Sequence, residues 1–148
     1  MTSEDWDPFA HPATGEVLDE RPADETAEEA PAGPPLYFSS LDRFVSEYLA
    51  MIYRRDLSVA SARWCPEWFK HAEAIARLEA MWRAWELLRL DPGEGASNWW
   101  LVHCDPHMRV LLSESGPFRN CRNTSHSEER SQPLPVVAPP RGVFSSNG

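Results

Sequence analysis

Apolar residues recur at intervals of three and four in two stretches of this chain. Leu41, Phe44, Val45, Tyr48, Leu49 and Ile52 form the first stripe, and the spacing predicts a helix from Ser39 or Ser40 to about Tyr53. Ser39 with Asp42 resembles a capping pair. Arg54 and Arg55 fall in the last turn, where positive charge suits the helix dipole. In the second stretch Trp64, Trp68, Ile75, Leu78, Trp82 and Trp85 share one side of a helical wheel, and His71 lies in the middle of that side. Pro66 suits a first helical turn, Cys65 before it is pushed out of helical geometry, and Asp91-Pro92-Gly93 is a stop. The pattern predicts a central helix ending at Leu90, about 25 residues and roughly 37 Å long.

Shorter elements follow. Ser97 or Asn98 caps the segment Asn98 to Cys104, read as helix because the rest of the domain is helical. Asp105-Pro106 has the chemistry of a new helix start, with Met108, Leu111 and Leu112 on its apolar face. Ser115-Gly116-Pro117 ends it, and Phe118 and Cys121 close the domain. The expected fold class is therefore all-α: one long central helix plus about three shorter ones, between two tails.

Charge and proline content set the boundaries. Residues 1–35 carry ten acidic side chains and one arginine, and so account for the whole net charge of −9. From Leu36 onward acids and bases balance at thirteen each. The first stretch has no apolar period and cannot offset its ordering entropy, so 1–35 reads as a disordered acidic tail. Trp6 and Phe9 within it are a candidate docking pair. Residues 36–122 form the helical domain. Residues 123–148 read as a second disordered tail, with Pro133 to Pro140 extended and exposed. A neutral domain with an acidic tail does not favour general nucleic-acid binding, although Arg43, Arg54, Arg55 and Arg63 beside Trp64 are candidate phosphate contacts. Trp64 and Trp68 are candidate stacking residues whose helical spacing fits core better. No run of apolar residues is long enough for a membrane span. The acidic start, without a signal pattern, and three cysteines, an odd number, read as a cytoplasmic protein with reduced thiols.

The candidate chemistry is a set of histidines and cysteines. If Asp105-Pro106 makes a corner, His103 and His107 meet there, Cys121 returns to it, and His71 faces it from the central helix. His71, His103, His107 and Cys121 are thus the candidate metal ligands, with zinc as the candidate ion and no cofactor required. Cys65 remains a site candidate but is less suited as a ligand, because six helical residues, about 9 Å of rise, separate it from His71. The competing reading is a buried histidine bonded to a carboxylate such as Asp105, with cysteines as small apolar filler. His71-Ala72-Glu73 resembles the first half of a zinc-deaminase motif, but the PCxxC half is missing. Cys104 beside His103 is a weak nucleophile pair, because neighbours on a regular element point apart. With no hydrolase, Walker or dinucleotide motif, the chain reads as leaning away from an enzyme.

The blocks Trp64-Cys65-Pro66-Glu67-Trp68, His71-Ala72-Glu73-Ala74-Ile75-Ala76-Arg77-Leu78, Trp82-Arg83-Ala84-Trp85-Glu86, Asn98-Trp99-Trp100, His103-Cys104-Asp105-Pro106-His107, Gly116-Pro117-Phe118 and Cys121 resemble a small actinobacterial family of unknown function. The resemblance covers about residues 36–122. Members of that family are encoded on plasmids, integrative conjugative elements and phages, often near conjugal-transfer genes. A small residue is usual at the position of Cys104, which weakens any role for that thiol. The resemblance implies a setting and no activity: a cytoplasmic accessory protein of a mobile element. The leading expectation is a non-enzymatic module that engages a protein partner, needs no cofactor and serves plasmid transfer or maintenance. The alternatives are a zinc-stabilised domain or metal-dependent enzyme, and a nucleic-acid-binding accessory.

Overall fold

The computed structural model describes residues 33–127 and 132–144. The acidic stretch with Trp6 and Phe9 lies outside them. Three helices carry the fold, and among the described residues there is no strand, only an isolated bridge between Arg122 and Ser125. No helix there is long and apolar enough to cross a membrane. Residues 132–140 are exposed and form neither helix nor strand, as expected of a proline-rich segment.

Helix α1 runs through Leu41–Arg43, a π-helical stretch Phe44–Leu49 and Ala50–Ile52. Its start lies where the sequence predicts it, at Ser40, but no serine side chain caps it. The wider π turn aligns residues five apart, which puts Phe44 and Leu49 together in the core beside Val45. Arg54 and Arg55 lie beyond the helix end. Arg54 Nε donates to the Met51 carbonyl at 3.1 Å, closing a helix end by side chain.

Helix α2 is Ala72–Leu88, shorter at its start than the apolar spacing predicts. Residues 66–67 form a turn, Trp68–Lys70 is a single 3-10 turn, and His71 is extended at φ −113° and ψ 111°. The helical wheel holds from Ala74 onward, where Ala74, Leu78, Met81, Trp82 and Glu86 are buried. Before Ala72, helical spacing gave the right residues for the wrong reason: Trp64 packs on the core from a loop and Trp68 from the 3-10 turn.

Helix α3 joins Gly95–Asn98, a π-helical Trp99–Cys104 and Asp105–Leu111. The corner expected at Asp105-Pro106 is absent, and Asp105 is helical at φ −60° and ψ −44°. Proline is tolerated because it falls where the π turn hands over to α-helix. The regular bonding ladder is already interrupted there, so the missing N–H removes little. Gly95 is required at the entry to α3: a β-carbon on it would collide with the Leu88 carbonyl at the end of α2.

The core lies between the three helices. Phe44, Leu49, Leu78, Met81, Trp99, Leu111 and Phe118 are buried in it. Phe38, Phe44, Tyr48, Trp85 and Trp99 form a chain of ring contacts with centroids 4.9 to 6.4 Å apart. Trp99 Nε1 donates to the Met81 carbonyl at 3.0 Å, so burying that indole leaves no orphan donor.

One charged group sits within this shell. Glu86 accepts from the Phe38 N–H (2.9 Å) and Trp82 Nε1 (3.2 Å) on one oxygen, and from the Tyr37 N–H (2.9 Å) and Arg89 Nε (2.8 Å) on the other. Burial pushes its pKa up, but these donors outweigh burial and hold the carboxyl below its usual value. Glu86 thereby ties the chain before α1 to the middle of the fold.

Candidate metal centre

The loops at one end of the bundle bring together four donors. Cys65, His71, Cys121 and His126 each offer one atom, and these atoms all lie within 4.8 Å of one another. Three of the residues are buried and His126 is half-buried.

Each donor arrives by a different local route. Cys65 precedes Pro66 in an irregular stretch, where the proline disfavours helical geometry. His71 sits at the N-cap of α2 in extended conformation, which turns its ring away from the helix axis and toward the loops. Cys121 follows the turns from Gly116, where a β-carbon would meet the Val110 carbonyl, so glycine lets the chain double back over α3. His126 is delivered by a tight return in which Arg122 and Ser125 exchange backbone bonds of 3.1 and 2.9 Å.

Asn123 locks the two halves together. Its Oδ1 accepts from the Trp64 N–H at 2.8 Å and its amide donates to the Leu57 carbonyl. One side chain from the return loop thus holds the strand of chain that enters Cys65. Phe118 packs edge-on against both Trp64 and His71, with centroids 5.0 Å away in each case. The sequence boundary drawn at Arg122 therefore leaves outside the domain two residues that are tied into it.

The contacts within the cluster are short. Cys121 Sγ lies 3.4 Å from His71 Nε2 and 3.7 Å from His126 Nδ1, and Cys65 Sγ lies 3.4 Å from His126 Nδ1. Ser127 closes on Cys121 as well: its N–H donates to Cys121 Sγ at 3.4 Å, and its carbonyl accepts from the thiol at 3.6 Å. Burial, with Cys121 beside it, pushes the Cys65 thiol up to about 11. Left alone it holds its proton; a cation among the four atoms would reverse that balance.

The other sequence candidates sit elsewhere. His103 and His107 are on successive turns of α3, and neither belongs to the converging set. His107 Nδ1 lies 3.3 Å from the Arg77 guanidinium, and its pKa is lowered by burial first and by the charges of Arg77 and His103 after it. Asp105 is half-buried in α3. Glu73 is exposed and paired with Arg77 at 2.9 Å, so it does not face the donors as a deaminase glutamate would. Cys104 is fully buried, and burial, with the Asp105 charge adding to it, pushes its thiol up to about 12.

Two of the four donors, His71 and Cys121, are in the ligand set predicted from sequence. Cys65, a site candidate, ranked below the predicted ligands on a helical rise that does not exist, because α2 starts after His71. His126 was assigned to a tail by its Ser- and Glu-rich surroundings. A signal for it is present: Cys65 and Cys121 are each followed by a histidine six and five residues on, a paired spacing that neither His103 nor His107 shares. The geometry gives a first test. His103→Ala and His107→Ala are expected to leave the metal content of the purified protein unchanged, whereas His71→Ala and His126→Ala lower it. Metal analysis of the four variants checks this.

No curated protein and no solved structure matches this chain. A family match does exist, and it spans all four donors, running from Phe38 to beyond His126. On that match, over residues 38–140, the chain belongs to the family described as domain of unknown function DUF4913.

Proposed function

We propose that this domain is a zinc-held, non-catalytic interaction module. The observation that carries the reading is the convergence of Cys65, His71, Cys121 and His126. Zinc bound tetrahedrally at ordinary zinc–sulfur and zinc–nitrogen lengths needs sulfur and nitrogen about 3.6 Å apart. The contacts of 3.4, 3.4 and 3.7 Å between thiols and imidazoles bracket that value. A Cys2His2 donor set is also the choice of a borderline-soft ion that prefers four ligands. Hard cations such as magnesium or calcium seek oxygen, which this cluster does not offer.

The role that fits is structural. Four protein donors complete a tetrahedron and leave no position for water or substrate, as catalytic zinc requires. The donors come from loops already packed around Phe118, and the ion adds a second tie between the start of α2 and the return after α3. A domain held in this way presents a rigid helical surface, and the exposed proline-rich segment beyond it is suited to engaging a protein partner. The setting we propose is an accessory role on an actinobacterial mobile element, supported by the sequence blocks described above.

The experiment is elemental analysis of the full chain, expressed without a histidine tag and purified without added metal. One zinc per chain is the expected result. Protein that carries no metal, and takes up none from a zinc buffer, ends the proposal.

A further inference from the structure

The end of α1 and the loop after it border a cleft of about 390 Å³. Val45, Leu49, Tyr53 and Met108 are among its walls, and the exposed Arg54 and Arg55 stand beside them. Cleft size and lining suit apolar rings. Arg54 donates to the Met51 carbonyl, while Arg55 donates to the Arg54 carbonyl and lies over the Tyr53 ring at 4.0 Å. Among the described residues no carboxylate pairs with either, in contrast to Arg43, Arg77, Arg83 and Arg89.

We propose that this cleft takes the segment Glu4 to Phe9 of the same chain. That segment reads Glu4-Asp5-Trp6-Asp7-Pro8-Phe9, two aromatic rings among three carboxylates. It contains the only aromatic residues before Tyr37. Its charge is opposite to that of the two arginines, and its rings match the apolar walls. Trp and Phe in an apolar cleft are the residues that dominate such contacts, with carboxylates on arginine adding orientation.

Chain length permits the contact. A random coil as long as the stretch from Phe9 to Gly33 would have a root-mean-square span of roughly 27 Å, against a radius of gyration of about 12 Å for a domain of this size. Tethering over that span gives an effective concentration in the millimolar range, so a motif of weak intrinsic affinity is largely bound. Pro8 restricts the segment before it docks and lowers the entropy lost. The acidic tail then acts as a built-in competitor: a partner that uses this cleft must present a similar acidic-aromatic peptide and displace it. The inference does not depend on the metal centre.

The test compares amide spectra of the full chain with those of the Trp6→Ala, Phe9→Ala double variant, both in zinc-containing buffer. Amides of Leu49, Tyr53, Leu57 and Leu112 are expected to shift between the two, independently of protein concentration. A synthetic peptide of residues 1–12 added to the double variant should reproduce those shifts. Arg54→Glu with Arg55→Glu should weaken that peptide by roughly fivefold or more at low salt. Identical spectra overturn the proposal, as does peptide binding that moves other amides. Shifts that grow with protein concentration assign the cleft to a second copy's segment and overturn the intramolecular contact.

Discussion

Replacing Cys65 or Cys121 with serine is expected to abolish zinc retention and to lower the melting temperature of the domain by more than about 10 °C. Structural zinc contributes on the order of 10 kcal/mol to small domains that have no other core. Here the three helices have their own core of Phe44, Leu78, Trp99 and Leu111, so a smaller share of the stability hangs on the ion. A loss of several kcal/mol, confined to the loops that carry the donors, is the expected outcome. Chelator should reproduce it in the natural sequence and have no further effect on either variant. Cys104→Ser is the control: it places a hydroxyl in the buried core and destabilises the protein, yet leaves zinc at one per chain. Acid should act in the same direction as chelator. The Cys65 thiol is pushed up to about 11 by burial and its neighbour Cys121, so zinc binding must displace its proton, and affinity falls as pH falls. Calorimetry with parallel metal analysis decides the matter. An unchanged melting transition in chelator, with zinc absent throughout, would show that the four side chains are held by thiol–imidazole hydrogen bonds alone.

Glu86→Gln is expected to be nearly as damaging although it changes one atom. Both carboxylate oxygens accept two donors each. An amide puts an NH2 group against one of those pairs, leaving buried N–H donors facing another donor. Breaking such a network costs on the order of 3 kcal/mol, or a fall of more than about 10 °C for a domain of this size. The same group sets an acid limit. Its pKa is lowered on folding, against burial, by the Tyr37, Phe38, Arg89 and Trp82 donors. Stability from this source is therefore fully present above the unfolded-state value near 4.5 and is lost as pH falls below it through the lower folded-state value. Thermal melts from neutral pH down to acid should show a decline in the natural protein that Glu86→Gln lacks. A variant as stable as the natural protein at neutral pH would refute this account of how the chain before α1 is anchored.

Much of the fold was legible as periodicity. Leu41 to Ile52 repeats at helical spacing and forms a helix; Ala74 to Trp85 does the same. Periodicity failed where the backbone leaves the α-helix without leaving the core. Trp64 and Trp68 fit the wheel of α2 by coincidence of spacing, and two π stretches moved residues five apart onto one face. Asp105-Pro106 carries every mark of a helix start, and such marks are indeed those of a first helical turn. What they do not reveal is that a π turn can feed into that position and keep the chain helical. Glu86 looked like one more charge on an amphipathic helix, because the four donors that bury it come from Tyr37, Phe38, Trp82 and Arg89, two of them backbone groups whose identity leaves no trace in sequence.

The same division holds for the site. By itself the sequence determined the helical class, the inward direction of His71 and the presence of reduced cysteines able to join it, because these follow from side-chain chemistry and local repeat. Tertiary structure alone decided that Cys65 and His126 converge with His71 and Cys121 and that His103 and His107 do not. Ligand convergence depends on where irregular loops turn, on Gly116, on Asn123 clasping Leu57 and Trp64, and on the return at Arg122 and Ser125. Those turns are set by long-range contacts between segments some sixty residues apart, and no short-range pattern encodes them.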